Sequence, residues 1–325
     1  MKISIAMATY NGAKYLQEQL DSFVAQTRQP DELVVTDDCS TDATLDILES
    51  FAANAPFEVV VHRNERNYGY CGNFNQALMR CIGDLVFISD QDDVWFPEKI
   101  ERVVAAAVEH DDALVIMNDA LLTHDDLTET GLTKLRQIKS AGFNQMNFVM
   151  GCCAAVKRDL LDLCLPIPDD FTAHDNWIVG IADGMGRKQV LPEVLQYYRR
   201  HGENESQWIV NQPERVTHWD VWKAHIAGVV NKTGDAERLR QEAQSNYELL
   251  RDWAGSVVRR APSRYASDIA CFIEYLDRQV NAMTRREEIR RSGFSVRIRE
   301  VVSESRNGIY KSFSGWKSAL RDLVG

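Results

Sequence analysis

The chain has 325 residues, of which 45% are hydrophobic and 26% charged, and 48 Asp and Glu against 37 Lys and Arg give a formal net charge of -11. A chain of this length and composition buries one large core or two modest ones, which excludes a disordered polymer and a disulfide-stapled mini-protein. Its acidity repels a phosphate backbone, so no nucleic-acid partner held by broad electrostatic attraction is expected.

In chain order, Ile3 to Ala8, Glu32 to Thr36, Phe57 to His62, Leu85 to Ser89 and Leu114 to Met117 are short, β-branched, apolar runs that read as strands. Amphipathic helices alternate with them. The first carries Tyr15, Leu16, Leu20, Phe23 and Val24 on one face, and the second follows the Ser40-Thr41-Asp42 cap cluster with Leu45, Leu48 and Ala52. The third has Phe74, Ala77, Leu78 and Cys81, and the fourth begins at Pro97 with Ile100, Val103, Val104 and Ala107. Such alternation predicts an α/β fold with a mostly parallel sheet flanked by helices, in which ligands sit at the carboxyl ends of the strands. Gly151 to Val156 and Val190 to Tyr198 read as further strands. Beyond residue 210 strands vanish, and helical windows such as Ala236 to Trp253 and Ser267 to Met283 take over. The expected organisation is a catalytic domain over 1–210, divided into halves near 120, and a helical C-terminal region over 211–325.

Seven cysteines (Cys39, Cys71, Cys81, Cys152, Cys153, Cys164 and Cys271) form no C-x-x-C pair, which predicts reduced thiols rather than a disulfide framework or a zinc site. The N-terminus lacks the apolar core and cleavage site of an export signal. No window reaches the roughly 18 uninterrupted apolar residues of a spanning helix. A cytoplasmic protein is expected.

The strand ends hold the chemistry. Ala8-Thr9-Tyr10-Asn11-Gly12 follows the first strand, and Thr36-Asp37-Asp38-Cys39-Ser40-Thr41-Asp42 closes the second. An aspartate at the end of a buried strand is costly unless hydrogen-bonded, and the N–H and hydroxyl groups of a nucleoside are natural partners. Ser40, Thr41 and Asp42 also suit a helix cap, whereas Asp38 has no capping role to explain it. No G-x-G-x-x-G follows the first strand and no G-x-x-x-x-G-K-[ST] occurs, which disfavours NAD-type and P-loop readings. The fourth strand ends in Ser89-Asp90-Gln91-Asp92-Asp93-Val94-Trp95, where three carboxylates within four residues repel one another unless a cation sits among them. Oxygen ligands suit Mg²⁺ or Mn²⁺, which would bridge to a diphosphate.

In order and spacing, Thr9-Tyr10-Asn11-Gly12, Asp37 to Asp42, Asn67-Tyr68-Gly69 with Asn73-Phe74-Asn75, and Asp90-Gln91-Asp92-Asp93 resemble the inverting glycosyltransferases of family 2, which have the GT-A fold. The resemblance covers about the first 205 residues. It implies a nucleotide-sugar donor, dTDP- or UDP-linked, with Thr9, Tyr10, Asn11 and Asp38 around base and ribose, Asn67, Gly69 and Asn73 in the same pocket, and Asp92 and Asp93 on ribose, metal and diphosphate. His174-Asp175-Asn176-Trp177 matches the position of the family's general base, which makes Asp175 the group that deprotonates an acceptor hydroxyl. Tyr197-Tyr198-Arg199-Arg200-His201-Gly202-Glu203-Asn204 resembles the rhamnosyltransferase-like branch; the resemblance puts His201 on metal or diphosphate and Arg199 on phosphate. The function implied is metal-dependent, inverting transfer of a sugar, rhamnose from dTDP-rhamnose, to a saccharide acceptor of a cell-surface polysaccharide such as O-antigen or capsule. A UDP-hexose transferase of the same fold is the nearest alternative. A sugar-nucleotide pyrophosphorylase would carry a Gly-rich basic loop after the first strand, and a silent scaffold has no reason to keep Asp92, Asp93 and Asp175.

Residues 281 to 325 hold ten Lys and Arg against five Asp and Glu, a charge of +5, so the remaining 280 residues carry -16. Within this tail Ile298, Val302, Ile309, Phe313, Trp316, Leu320 and Leu323 recur at helical spacing, and Gly308 and Gly315 interrupt it. Two expectations stand open: the tail lies on the anionic inner face of the cytoplasmic membrane, near a lipid-linked acceptor, or it packs on the catalytic domain or on a second subunit in a homodimer.

Overall fold

The computed structural model describes residues 1–144, 148–202, 209–223, 235–313 and 315–324. The chain divides into two compact units, Met1–Lys223 and Ala224–Gly325. The first is built on one sheet of β1 (Ile3–Thr9), β2 (Glu32–Asp37), β3 (Glu58–Arg63), β4 (Leu85–Ser89), β5 (Val94–Trp95), β6 (Val115–Thr123), β7 (Glu129–Thr133), β8 (Ala154–Lys157) and β9 (Lys188–Arg199). Its helices are α1 (Leu16–Val24), α2 (Thr44–Ala52), α3 (Gly69–Arg80), α4 (Lys99–Glu109), α5 (Lys134–Ser140), α6 (Arg158–Cys164) and α7 (His174–Gly184).

The strand order is β3-β2-β1-β4-β8-β6-β9-β5, with β7 on the side of β6. Strands β3, β2, β1 and β4 are parallel, each joined to the next in the chain by one helix, as parallel neighbours require. From β4 onward the sheet is mixed: β8 runs antiparallel to β4 and β6, β9 parallel to β6, and β5 antiparallel to β9. The expected α/β class is observed, and the parallel reading holds where strand and helix alternate one for one.

Ile3, Ile5, Met7, Leu33, Val35 and Phe87 of the strands meet Leu16, Leu20 and Phe23 of α1 and Ile100 and Val103 of α4 in one buried core. Val24, expected on the inner face of α1, is exposed. Gly151–Cys153 form a 3₁₀ turn rather than the start of a strand: the Cys152 carbonyl accepts from Lys99 Nζ (3.0 Å), and β8 begins only at Ala154. Strands β5, of two residues, and β7, with two threonines and a glycine, lack an apolar run that would have announced them.

The boundary expected near 210 falls inside the first unit. The chain after β9 is stitched to α5, where Lys134 Nζ donates to Val210 O (3.0 Å), Ser140 Oγ to Val216 O (2.6 Å) and Val216 N to Gln137 Oε1 (3.0 Å).

The second unit contains α8 (Asp235–Val257), α9 (Ser263–Arg291), α10 (Phe294–Asn307) and α11 (Trp316–Val324). The expected helical windows lie within α8 and α9. Gly308 closes α10 in the left-handed region at φ 84°, and Gly315 sits at φ 58°, so the tail is two helices rather than one. They fold back on α9 around Ile289, Val301, Tyr310 and Ala319. Among the described residues no helix is long and apolar enough to cross a membrane.

Candidate active site

Parallel β1, β2 and β4 end side by side, and buried carboxylates at those ends need donors. Asp37 takes Thr9 Oγ1 (3.1 Å), Ser40 N (2.9 Å) and Ser40 Oγ (2.5 Å). Asp38 accepts from Asn64 Nδ2 (2.8 Å) and from the backbone N–H of Tyr68 (2.9 Å) and Gly69 (2.9 Å). This carboxylate therefore does have a capping role: it organises the turn that opens α3. Gly69 sits there at φ 72°, a conformation suited to glycine, and donates its N–H to Asn67 Oδ1 (2.9 Å). Asn73 ties the turn to β1, donating from Nδ2 to Thr9 O (3.0 Å) and accepting at Oδ1 from Asn64 Nδ2 (2.9 Å). Asn11 adopts φ 46° and accepts at Oδ1 from Thr41 N (2.8 Å). The structure thus joins Thr9, Asn11, Asp38, Asn67, Gly69 and Asn73 in one hydrogen-bonded cradle. Tyr10 stands at its rim, 50% exposed, its backbone paired with the Gln91 amide at 2.9 and 3.0 Å.

The acidic turn after β4 divides in two. Asp92 Oδ2 lies 2.8 Å from His201 Nε2, and the His201 ring packs on Tyr15 with centroids 4.6 Å apart. Asp93 turns inward, fully buried, and accepts from Gln196 Nε2 (2.9 Å) and Arg199 N (3.2 Å). A donor atom of Asp93 lies within 4.8 Å of donor atoms of Asp90 and Cys152, so Asp93 groups with those two and not with His201. Burial, then the charge of Asp92, pushes Asp90 up to about 7 and holds Asp93 well above the usual carboxylate range. Lys99 lies beneath the turn: Nζ donates to Gln196 Oε1 (2.5 Å) and sits 3.8 Å over the Trp95 ring, and burial pushes its ammonium down to about 8. No motif marked Lys99; the signal available was its place four residues before Val103, on the buried face of α4.

Arg199 is engaged within the protein. Its Nε donates to Asp92 O (2.8 Å), Nη1 to Asp125 O (2.6 Å) and Nη2 to Glu18, and the guanidinium lies 4.7 Å over the Tyr15 ring. Glu18 and Asp125 were not singled out in the sequence, because partners 181 and 74 residues distant leave no local pattern.

Asp175 occupies the first turn of α7, with Oδ1 accepting from Asn176 N (2.8 Å), and its charge contributes to the upward shift of Asp90. Asp175 Cβ lies 3.5 Å from the position of a Cβ on Gly151, the neighbour of Cys152, so Asp175 lies near the acidic turn. His174 is buried beside it, stacked on Phe74 at 4.0 Å, and burial pushes its imidazole down. A Cβ at Gly151 would meet His174 Nε2 at 2.5 Å, so the close approach of the 3₁₀ turn to α7 requires glycine there.

Asp92 and His201 offer an oxygen and a nitrogen donor at one point, and the crowded, proton-attracting carboxylates around them are what a divalent cation relieves. Mg²⁺ or Mn²⁺ fits this donor set.

A helix-flanked sheet with a cradle and an acidic turn at its carboxyl ends is a GT-A arrangement. Residues 4–164 match the family model Glycosyl transferase family 2. An uncharacterized glycosyltransferase from Nostoc sp. is 30% identical over 214 residues, 63% of this chain and 66% of that protein, so the match spans just under two thirds of that relative. The dTDP-rhamnosyl transferase RfbG of Shigella flexneri is 33% identical over 106 residues, 31% of this chain and 37% of its own length. The crystal structure of Staphylococcus aureus TarS 1-349 in complex with UDP shares the fold, with a TM-score of 0.55 and 19% identity over 87% of this chain and 91% of that one. Residues 4–164 thus form a glycosyltransferase family 2 domain.

Proposed function

We propose that this glycosyltransferase moves a sugar, rhamnose from dTDP-rhamnose, to a hydroxyl of a saccharide acceptor in cell-surface polysaccharide synthesis, with inversion at the anomeric carbon. The observation that supports the reading is that Asp175 lies near the Asp90 to Asp93 turn, its Cβ 3.5 Å from where Gly151 would carry a Cβ and Gly151 next to Cys152, which groups with Asp90 and Asp93. Asp175 takes the proton from the acceptor hydroxyl as its oxygen forms a bond to the anomeric carbon. The bond from that carbon to the diphosphate breaks on the opposite face, so one displacement inverts the centre and no enzyme nucleophile is needed. Asp92 and His201 would hold Mg²⁺ or Mn²⁺, which supplies charge neutralisation to the departing diphosphate. Tyr10 and the turn shaped by Asp38, Asn67 and Gly69 receive base and ribose, Asn73 fixes that turn to β1, and Arg199 holds the backbone of Asp92 in place. The likeness to a dTDP-rhamnosyl transferase supports the donor. Seven free cysteines support a reducing, cytoplasmic compartment.

Asp175→Asn is expected to lower kcat by roughly 10²- to 10⁴-fold with little change in donor affinity. Near-native turnover of that variant in a radiolabelled transfer assay would remove Asp175 from the mechanism. Calorimetric titration of the full chain with dTDP-rhamnose and with UDP-hexoses, each with Mn²⁺, tests the donor; tighter binding of a UDP-hexose would replace rhamnose.

A further inference from the structure

The two tail helices sort their charges. On α10, Glu300 and Glu304 turn toward α9 and pair with Arg285, the latter at 2.9 Å. On α11, Asp322 is fully buried and pairs with Arg286 (2.8 Å) and Arg290 (2.7 Å). The acids of these helices therefore spend their charge inside the unit. What remains outward is apolar and basic. Phe294 (68% exposed), Ile298 and Val302 stand at i, i+4 and i+8, one stripe along α10, and exposed Arg299 and Arg306 flank it at helical spacing. Trp316 (69% exposed) and Leu320 form the same i, i+4 pair on α11, beside Lys317. Exposed aromatic and branched side chains bordered by unpaired cations are costly against water. They are complementary to an interface whose headgroups are anionic and whose interior is hydrocarbon.

We propose that the outward faces of α10 and α11 dock on a membrane surface rich in anionic lipid, the helices lying in the interface rather than crossing it. A second copy of the chain, itself bearing the same cations on this face, would bring like charges together. None of these residues belongs to the cradle or the acidic turn, so their substitution is expected to leave transfer to a soluble acceptor intact.

The test is co-sedimentation of the full chain with vesicles of phosphatidylcholine alone and of phosphatidylcholine with phosphatidylglycerol. Binding to the anionic vesicles is expected to exceed binding to neutral ones by at least about tenfold and to fall with added salt. Phe294→Ser with Trp316→Ser, and separately Arg299→Gln with Arg306→Gln, are each expected to lose most of that binding while nucleotide affinity and helical circular dichroism stay at the wild-type level. Equal binding to both lipids, no binding to either, or full binding by both double variants overturns the proposal. So does a wild-type dimer that the same substitutions dissociate, since the occupant is then a second copy.

Discussion

Asp93 in the first unit and Asp322 in the second are both fully buried, yet they meet opposite surroundings. Two guanidinium groups, Arg286 and Arg290, answer Asp322. Asp93 has a neutral amide, a backbone N–H and the like charges of Asp90 and Asp92, which hold it well above its ordinary value. The second unit uses a buried acid as a brace. The first keeps one among other acids, where a cation or a proton lowers its energy. Lys134 repeats the first unit's habit: buried, it donates to the Val210 carbonyl and to Asn211 Oδ1, both neutral, and burial pushes its ammonium down to about 7.

The contrast can be broken most severely at Asp322. Asp322→Asn leaves two arginines around a neutral group and is expected to destabilise the second unit by about 3–5 kcal/mol in chemical denaturation, with nucleotide binding unchanged. A loss below about 1 kcal/mol would show that the pairing is no brace.

Gln196→Leu removes the amide shared by Asp93 and Lys99, and leaving such groups unsatisfied is expected to cost about 1–3 kcal/mol, read as a lower Tm. An unchanged Tm would mean that acid and base meet directly.

At Lys134 the sign follows from the folded value near 7 against 10.5 for the free side chain. The folded state binds fewer protons between these values, so stability is lowest below pH 7 and rises across that window. The wild-type slope is expected to reach about 1.4 kcal/mol per pH unit, and Lys134→Met should flatten it. Parallel profiles for the two proteins from pH 7 to 9 would show that Lys134 does not titrate there. The smallest effect belongs to Lys14→Ala, whose partner Asp125 lies 2.9 Å away on the open surface. Solvent and salt screen such a pair, and no measurable change in Tm is expected.

Periodicity alone located β1 to β4, β6, β9 and the four helices that interleave with the first strands, because each buries a face at a fixed spacing. The residue pattern likewise brought Thr9, Asp38 and Asp92 to notice, since acids, asparagines and glycines at strand ends have few other uses, and the resemblance to family 2 added Asp175 and His201. It could not assign their partners. That Asp38 is spent on the Tyr68–Gly69 turn, that Asp92 meets His201 while Asp93 turns to Gln196, and that Arg199 is held by Glu18 and Asp125 depend on chain segments up to 181 residues apart. The same holds for the tail: spacing made it amphipathic, but only packing against α9 decided that Glu300, Glu304 and Asp322 turn inward with Tyr310 while Phe294, Trp316, Arg299 and Arg306 face out. Local pattern encodes which side chains want burial or a partner. Which partner each one finds is a property of the assembled core, where geometry and desolvation select among groups that the sequence leaves far apart.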